Sequence, residues 1–292
     1  MKRLFLSAIA VFLTLTLFVG ADIQSGESLL QIECLLKPIV RNGSHHHHSD
    51  QEGDDHHHRQ RDHGSHPHIP FAESSSVNWS GYAALTSLNN PLKNSVTEVS
   101  GTWVVPQLIS TSGTSYSATW VGIDGYSSNT VEQIGTEQEW INGSQQNYAW
   151  FEMYPSGAYE IVGFPVHVGD VITGQVSYVG NNHFQLIITN HTRNVTTTIP
   201  SSYTTSSTAL RTSAEWIVEA PSSTQGVLPL ADFGHVAFSN CTAIINGITG
   251  PINSSHWTDN ALIMVTSKGV VKAVPSSLTP GGEGFSVTWE HQ

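Results

Sequence analysis

Hydrophobic and polar residues alternate along most of this chain in short runs separated by clusters of turn-forming residues. HFQLIITN at 183–190 shows the pattern: Phe184, Leu186 and Ile188 fall on one side of an extended chain, Gln185, Ile187 and Thr189 on the other. Similar runs are GTWVVP at 101–106, SATWVGI at 117–123, NYAWFEMY at 147–154 and VITGQVSYV at 171–179. Further on come HVAFSNCTAI at 235–244, ALIMVTS at 261–267 and FSVTWEH at 285–291. Each is of strand length and is bounded by Gly, Asn, Ser or Pro. No segment keeps a 3.6-residue period. The pattern predicts an all-β domain over 77–292: an antiparallel β-sandwich of two large packed sheets, concanavalin- or lectin-like in plan.

The N-terminal part reads differently. Met1-Lys2-Arg3, an apolar run from Leu4 to Gly20 and the small residues Val19-Gly20-Ala21 predict a secretory signal peptide over 1–21, and so a secreted protein with no membrane attachment after its removal. Residues 22–76 read as a pro-segment and disordered linker. Ten of the sixteen histidines lie between His45 and His68, among Asp, Gly, Ser and Arg, with almost nothing to bury. Three readings stay open for that tract: a solvated linker, a metal scavenger, or a pro-segment that gains charge as the medium acidifies.

Composition narrows the partners. Only 12% of residues are charged, where about 25% is usual, and the formal net charge is −12. Residues 77–292 carry 14 acidic and 5 basic side chains. That balance argues against nucleic acid as a partner. The two cysteines, Cys34 and Cys241, fall on either side of the domain boundary, so no disulfide is expected to hold the domain. Nothing indicates a cofactor or an oligomer, and a monomer is expected. Sequons at Asn78, Asn142, Asn190, Asn194, Asn240 and Asn253 matter only in a host that glycosylates.

The chain has no HExxH helix, P-loop, dinucleotide glycine motif or GxSxG elbow, and its domain histidines are scattered without metal-ligand spacing. Three other clusters could carry chemistry. In SAEWIVEA, 213–220, a strand would put Glu215, Ile217 and Glu219 on one face and Trp216 and Val218 on the other. A carboxylate on an apolar face is either at an exposed edge or in a cleft, where desolvation raises its pKa. In TWVGIDGYSSNTVEQIGTEQEW, 119–140, Gln133 would share a face with Val131 and Gly135, and its amide is a neutral donor able to stabilise an oxyanion. In WFEMYP, Trp150, Glu152 and Tyr154 would share a strand face, which suits a wall that grips a polymer. Each fits ordinary sheet packing equally well when taken alone.

Together the clusters resemble the glutamic peptidase (eqolisin) family of acid endopeptidases. The resemblance runs from Asn78-Trp79-Ser80-Gly81 through GTWVVP, ATWVGIDG, QIG, AWFEMYP and SAEWIVEAP to LADFGHVAFSN. It implies a β-sandwich, a signal peptide, a removed pro-segment, polypeptide substrates, no metal, and a Gln/Glu dyad working in acid. On this resemblance Glu215 matches the catalytic glutamate and Gln133 the catalytic glutamine. Trp120, Asp124, Trp150, Glu152 and Tyr154 match substrate-groove positions, and Glu137 stands where fungal members carry an Asp. Glu219 reads as a polar residue further along the strand. The competing class is a carbohydrate-binding or glycoside-hydrolysing β-sandwich, with Glu215 and Glu152 as its carboxylate pair.

Overall fold

The structure is a computed structural model that describes residues 29–32, 35–39, 73–110, 112–200 and 207–292. The expected signal peptide, the His-rich tract and Cys34 lie outside the described residues. In chain order the strands are β1 (Leu30–Gln31), β2 (Leu35–Pro38), β3 (Glu73–Ser76), β4 (Trp79–Leu85), β5 (Val96–Val104), β6 (Ser115–Ile123) and β7 (Val131–Ile141). Then come β8 (Ser144–Tyr154), β9 (Tyr159–Val162), β10 (Val171–Gly180), β11 (His183–Asn190), β12 (Val195–Ile199) and β13 (Ser213–Glu219). The last are β14 (Ser222–Ser223), β15 (Gly226–Val227), β16 (His235–Ile245), β17 (Ile248–Pro251), β18 (Thr258–Val265), β19 (Val271–Pro275) and β20 (Phe285–Trp289). Every run singled out by its alternation is a strand, and no helix occurs among the described residues.

Two layers pack face to face. One holds β12, β11, β10, β5 and β16; the other holds β4, β13, β6, β7, β8 and β9. Strands β18, β19 and β20 connect them at a corner, so the pairing is continuous from layer to layer. Tight turns set the register. Asn142-Gly143, Asn181-Asn182 and Asn246-Gly247 close hairpins, and all three asparagines at the first turn position have positive φ, as type I′ loops require.

The core lies between the layers and is lined by alternate residues of each strand, among them Val99, Trp103, Val121, Ile134, Phe151, Ile172, Leu186, Trp216 and Val218. Two tryptophans lock the layers in register. Trp103 on β5 donates Nε1–H to Thr136 Oγ1 on β7 at 2.9 Å, and Trp216 on β13 donates to the Ser100 carbonyl on β5 at 2.8 Å. Each indole buries about 200 Å², about 5 kcal/mol of gross transfer energy, with its one polar atom satisfied.

The segment expected to be an appendage contributes strands. β1 pairs in parallel with β12, β2 antiparallel with β9, and β3 in parallel with β18. The sheet system therefore begins before residue 77. Turn and polar composition around these segments hid them, because two- and four-residue strands carry too little alternation to register.

Candidate active site

A second, smaller apolar cluster lies on the outer face of the β4-β13-β6-β7-β8-β9 layer. It contains Ala83, Ala118, Trp120, Val131, Trp150, Ala158, Ile217 and Leu262, with Ile39, Trp79, Tyr126 and Tyr148 packed against it. An apolar patch on the face turned away from the core is the exceptional feature of this molecule. The predicted site residues fall within or beside it.

Strand register arranges them in three rows. The first reads Ala83–Glu215–Gly122–Gln133–Glu152 from β4 to β8. The second reads Gly81–Ile217–Trp120–Gly135–Trp150–Glu160 from β4 to β9. The third reads Trp79–Glu219–Ala118–Glu137–Tyr148. Two glycines make room. A Cβ on Gly122 would stand 2.9 Å from the Trp120 ring and 3.1 Å from Gln133 Cβ. One on Gly135 would meet the Thr119 carbonyl at 2.3 Å and Trp120 Cβ at 2.6 Å. Gly122 thus leaves room for the Trp120 ring, and Gly135 for the close approach of β6 at Thr119 and Trp120.

Gln133 is nearly buried and donates Nε2–H to Glu152 Oε2 at 2.8 Å. Its Oε1 has no hydrogen-bond partner. Glu152 is half-buried, Trp150 is buried with its indole N–H unpartnered, and Tyr154 is exposed at the rim. Glu137 is buried in the third row.

Two predicted positions are fully buried. Asp124 accepts hydrogen bonds from the Arg211 backbone N–H, and from the Thr212 N–H and Oγ1–H at 2.8 Å each, and so anchors the entry to β13. Glu215 shares the row and face of Gln133, across Gly122, and is 0% exposed. Burial, joined by the nearby carboxyls of Asp124 and Glu132, pushes its pKa well above the ordinary glutamate range, outweighing what Ser213 and the Tyr126 backbone offer in the other direction. Glu132, on the core side of β7, is pushed up to about 9 by burial and then by Asp124.

Glu219 lies four residues further along the same strand face, in the third row. It is half-buried, accepts Trp120 Nε1–H on Oε2 at 2.8 Å, and accepts Asn78 Nδ2–H on Oε1 at 3.2 Å. Trp79 packs edge-on to Trp120, with ring centroids 4.9 Å apart, and steadies that donor. The period-two spacing of 215, 217 and 219 already put Glu219 on the site face. What the sequence lacked was any sign that Trp120 and Asn78 converge on it.

Comparison with known proteins bears on this arrangement. The profile of the Peptidase A4 family matches residues 77–289. Aspergillopepsin-2 of Aspergillus niger is 33% identical over 138 residues, 47% of this chain and 49% of that protein, so the chain spans about half the length of the curated relative it matches. The structure of scytalido-glutamic peptidase with a transition state analog inhibitor superposes with TM-score 0.61 at 23% identity, covering 73% of this chain and 98% of that one. Aspergilloglutamic peptidase from Aspergillus niger gives TM-score 0.55 at 27% identity, covering 60% of this chain and 99% of that one.

Proposed function

This chain belongs to the Peptidase A4 (eqolisin) family, and on that footing we propose that it is a secreted endopeptidase that hydrolyses polypeptides in acid medium. The observation that carries the site assignment is the register row that puts Glu215 and Gln133 on one face with only Gly122 between them. A general base must reach the attacking water and must be ionised when the reaction starts. Burial in the unliganded row raises the pKa of Glu215, and a water and the Gln133 amide brought against it favour its charged form. Glu219, four residues further along, accepts from Trp120 and Asn78 and holds the Trp120 indole in place. In this reading the acid–base role stays at Glu215.

Ionised Glu215 takes a proton from a water that attacks the scissile carbonyl. Gln133 releases Glu152 and turns its amide N–H toward the developing oxyanion. Protonated Glu215 then returns the proton to the leaving amine. Gln133 and Glu215 lie two strands apart in the same row, about 10 Å at the backbone, with Gly122 leaving the space between their side chains open. The two groups act through the substrate and its water. Trp120 and Trp150 lie in the next row and offer the floor on which an extended peptide rests.

The sugar-hydrolase reading would pair Glu215 with Glu152, but Gln133 stands between them in the row and its amide is bonded to Glu152, so no second carboxylate faces Glu215 directly. The test is kcat/KM on a denatured protein at acid pH. Glu215→Gln should lose at least about a thousandfold, while Glu219→Gln keeps activity within about tenfold. The reverse order would move the role to Glu219; full activity in both would end the dyad mechanism.

A further inference from the structure

The edge of the site layer is occupied by the chain's own N-terminal segment. β2 pairs antiparallel with β9, Leu35↔Val162 through Pro38↔Tyr159, and the Ile39 N–H continues the ladder to the Ala158 carbonyl at 2.9 Å. The pairing places Lys37 opposite Glu160, at the end of the row that contains Trp120 and Trp150. Lys37 Nζ lies 3.3 Å from Glu160 Oε2. Ile39 packs against the same outer apolar cluster as the site tryptophans, while Leu36 on the opposite face packs against the main core.

This is how an extended peptide would bind: main-chain bonds to an open edge, with alternate side chains entering distinct environments. Ladder bonds alternate sides, so with Ile39 donating inward the nitrogen of Pro38 faces outward, where its missing N–H blocks addition of a further strand. Before Leu35, the Leu30 N–H bonds the Asn194 carbonyl and the Ile32 N–H the Thr196 carbonyl, tying the segment to the other layer. Only the two residues 33 and 34 separate the part held on one layer from the part held on the other.

We propose that β9 is a peptide-docking edge continuous with the candidate active site, and that residues 35–39 are its resident occupant, competing with extended polypeptides for it. The edge selects a cation opposite Glu160 and an aliphatic residue two positions later, against the tryptophan-lined cluster. The proposal rests on the site assignment only in its second half. Docking can be tested without any catalysis.

A tethered strand competes at an effective concentration of the order of millimolar, so the wild-type chain should screen the edge from peptide added in trans. The probe is fluorescently labelled Leu-Leu-Lys-Pro-Ile-Val-Arg-Asn, titrated into the full chain and into full-chain Ile39→Asp. We expect the probe to bind the variant at least about tenfold more tightly than the wild type. A probe with Lys replaced by Glu should bind several-fold more weakly, and Glu160→Lys placed in the Ile39→Asp background should reverse that preference. Amide exchange at 159–162 should quicken in Ile39→Asp while exchange in β13 stays unchanged, which separates release of the edge from loss of the fold. Equal probe binding to both chains, indifference to the Lys-to-Glu change, or unaltered exchange at 159–162 would each overturn docking. For competition, KM for an oligopeptide should fall several-fold in Ile39→Asp at constant kcat, and an unchanged KM with a freed edge overturns that half. Absence of cleavage by either chain would instead sink the peptidase reading while the binding data still decide the docking edge.

Discussion

At the scale of residues the site depends on which polar atoms are given partners. Trp120 is completely buried, yet its one polar atom is spent on Glu219 and not on a backbone carbonyl. A hydrogen bond from a neutral donor to a carboxylate stabilises by about 1.5–3 kcal/mol when desolvated. Trp120→Phe removes that donor and keeps most of the packing. We expect KM to rise several-fold with kcat little changed and an intact circular dichroism spectrum. A fall of about tenfold in kcat at unchanged KM would mean that the Trp120–Glu219 bond acts on the chemistry. Gln133, Trp150 and Glu152 were legible as same-face positions from sequence, because period two is all that is needed to place them. Residue pattern alone does not separate Glu215 from Glu219, which share chemistry and face; the resemblance singles out Glu215, and the register adds that Glu215 stands in the Gln133 row while Glu219 does not.

At the scale of elements the strand carrying both glutamates has to be entered at one fixed register. Asp124, in the left-handed region at φ 71°, does this by accepting from the backbone of Arg211 and Thr212 just before β13 begins. Its own N–H donates to the Ser213 carbonyl at 3.0 Å, so the β6 and β13 ends are cross-tied. Asp124→Ala would leave buried donors unsatisfied, and we expect a loss of about 3–5 kcal/mol, read as a shift in the urea midpoint, with activity lost in proportion to folded fraction. If the variant stays stable but is inactive, Asp124 acts on the chemistry and not on the strand. The resemblance puts Asp124 among the groove positions; what the motif ATWVGIDG cannot show is that its partners, Arg211 and Thr212, come from 87 and 88 residues further along the chain.

At the scale of the molecule the buried acids set a pH range. Burial raises the pKa of Glu132, up to about 9, and in the unliganded fold that of Glu215 as well. Above about pH 4.5 the unfolded chain releases these protons and the folded chain does not, so stability falls as pH rises toward 9. Each group can cost up to about 1.4 kcal/mol per pH unit, about 3 kcal/mol for Glu132 between pH 4.5 and 7. Asp170 acts oppositely. Its burial is outweighed by donors from Arg193, Asn190 and His167, its pKa is lowered, and its contribution is lost only as the medium becomes strongly acid. We expect thermal midpoints highest in mild acid and declining toward neutral pH, with Glu132→Gln flattening the decline. A midpoint that rises between pH 5 and 8 would contradict this. The sequence by itself determined the all-β class, the positions of the long strands, the face each site residue occupies and the family likeness, because alternation and motif order are local properties. The tertiary structure alone decided which glutamate meets solvent, that Asp124 points inward, and that residues 35–39 complete the site layer. Solvent exposure and edge pairing depend on segments far apart in the chain, and no local pattern encodes which of them will meet.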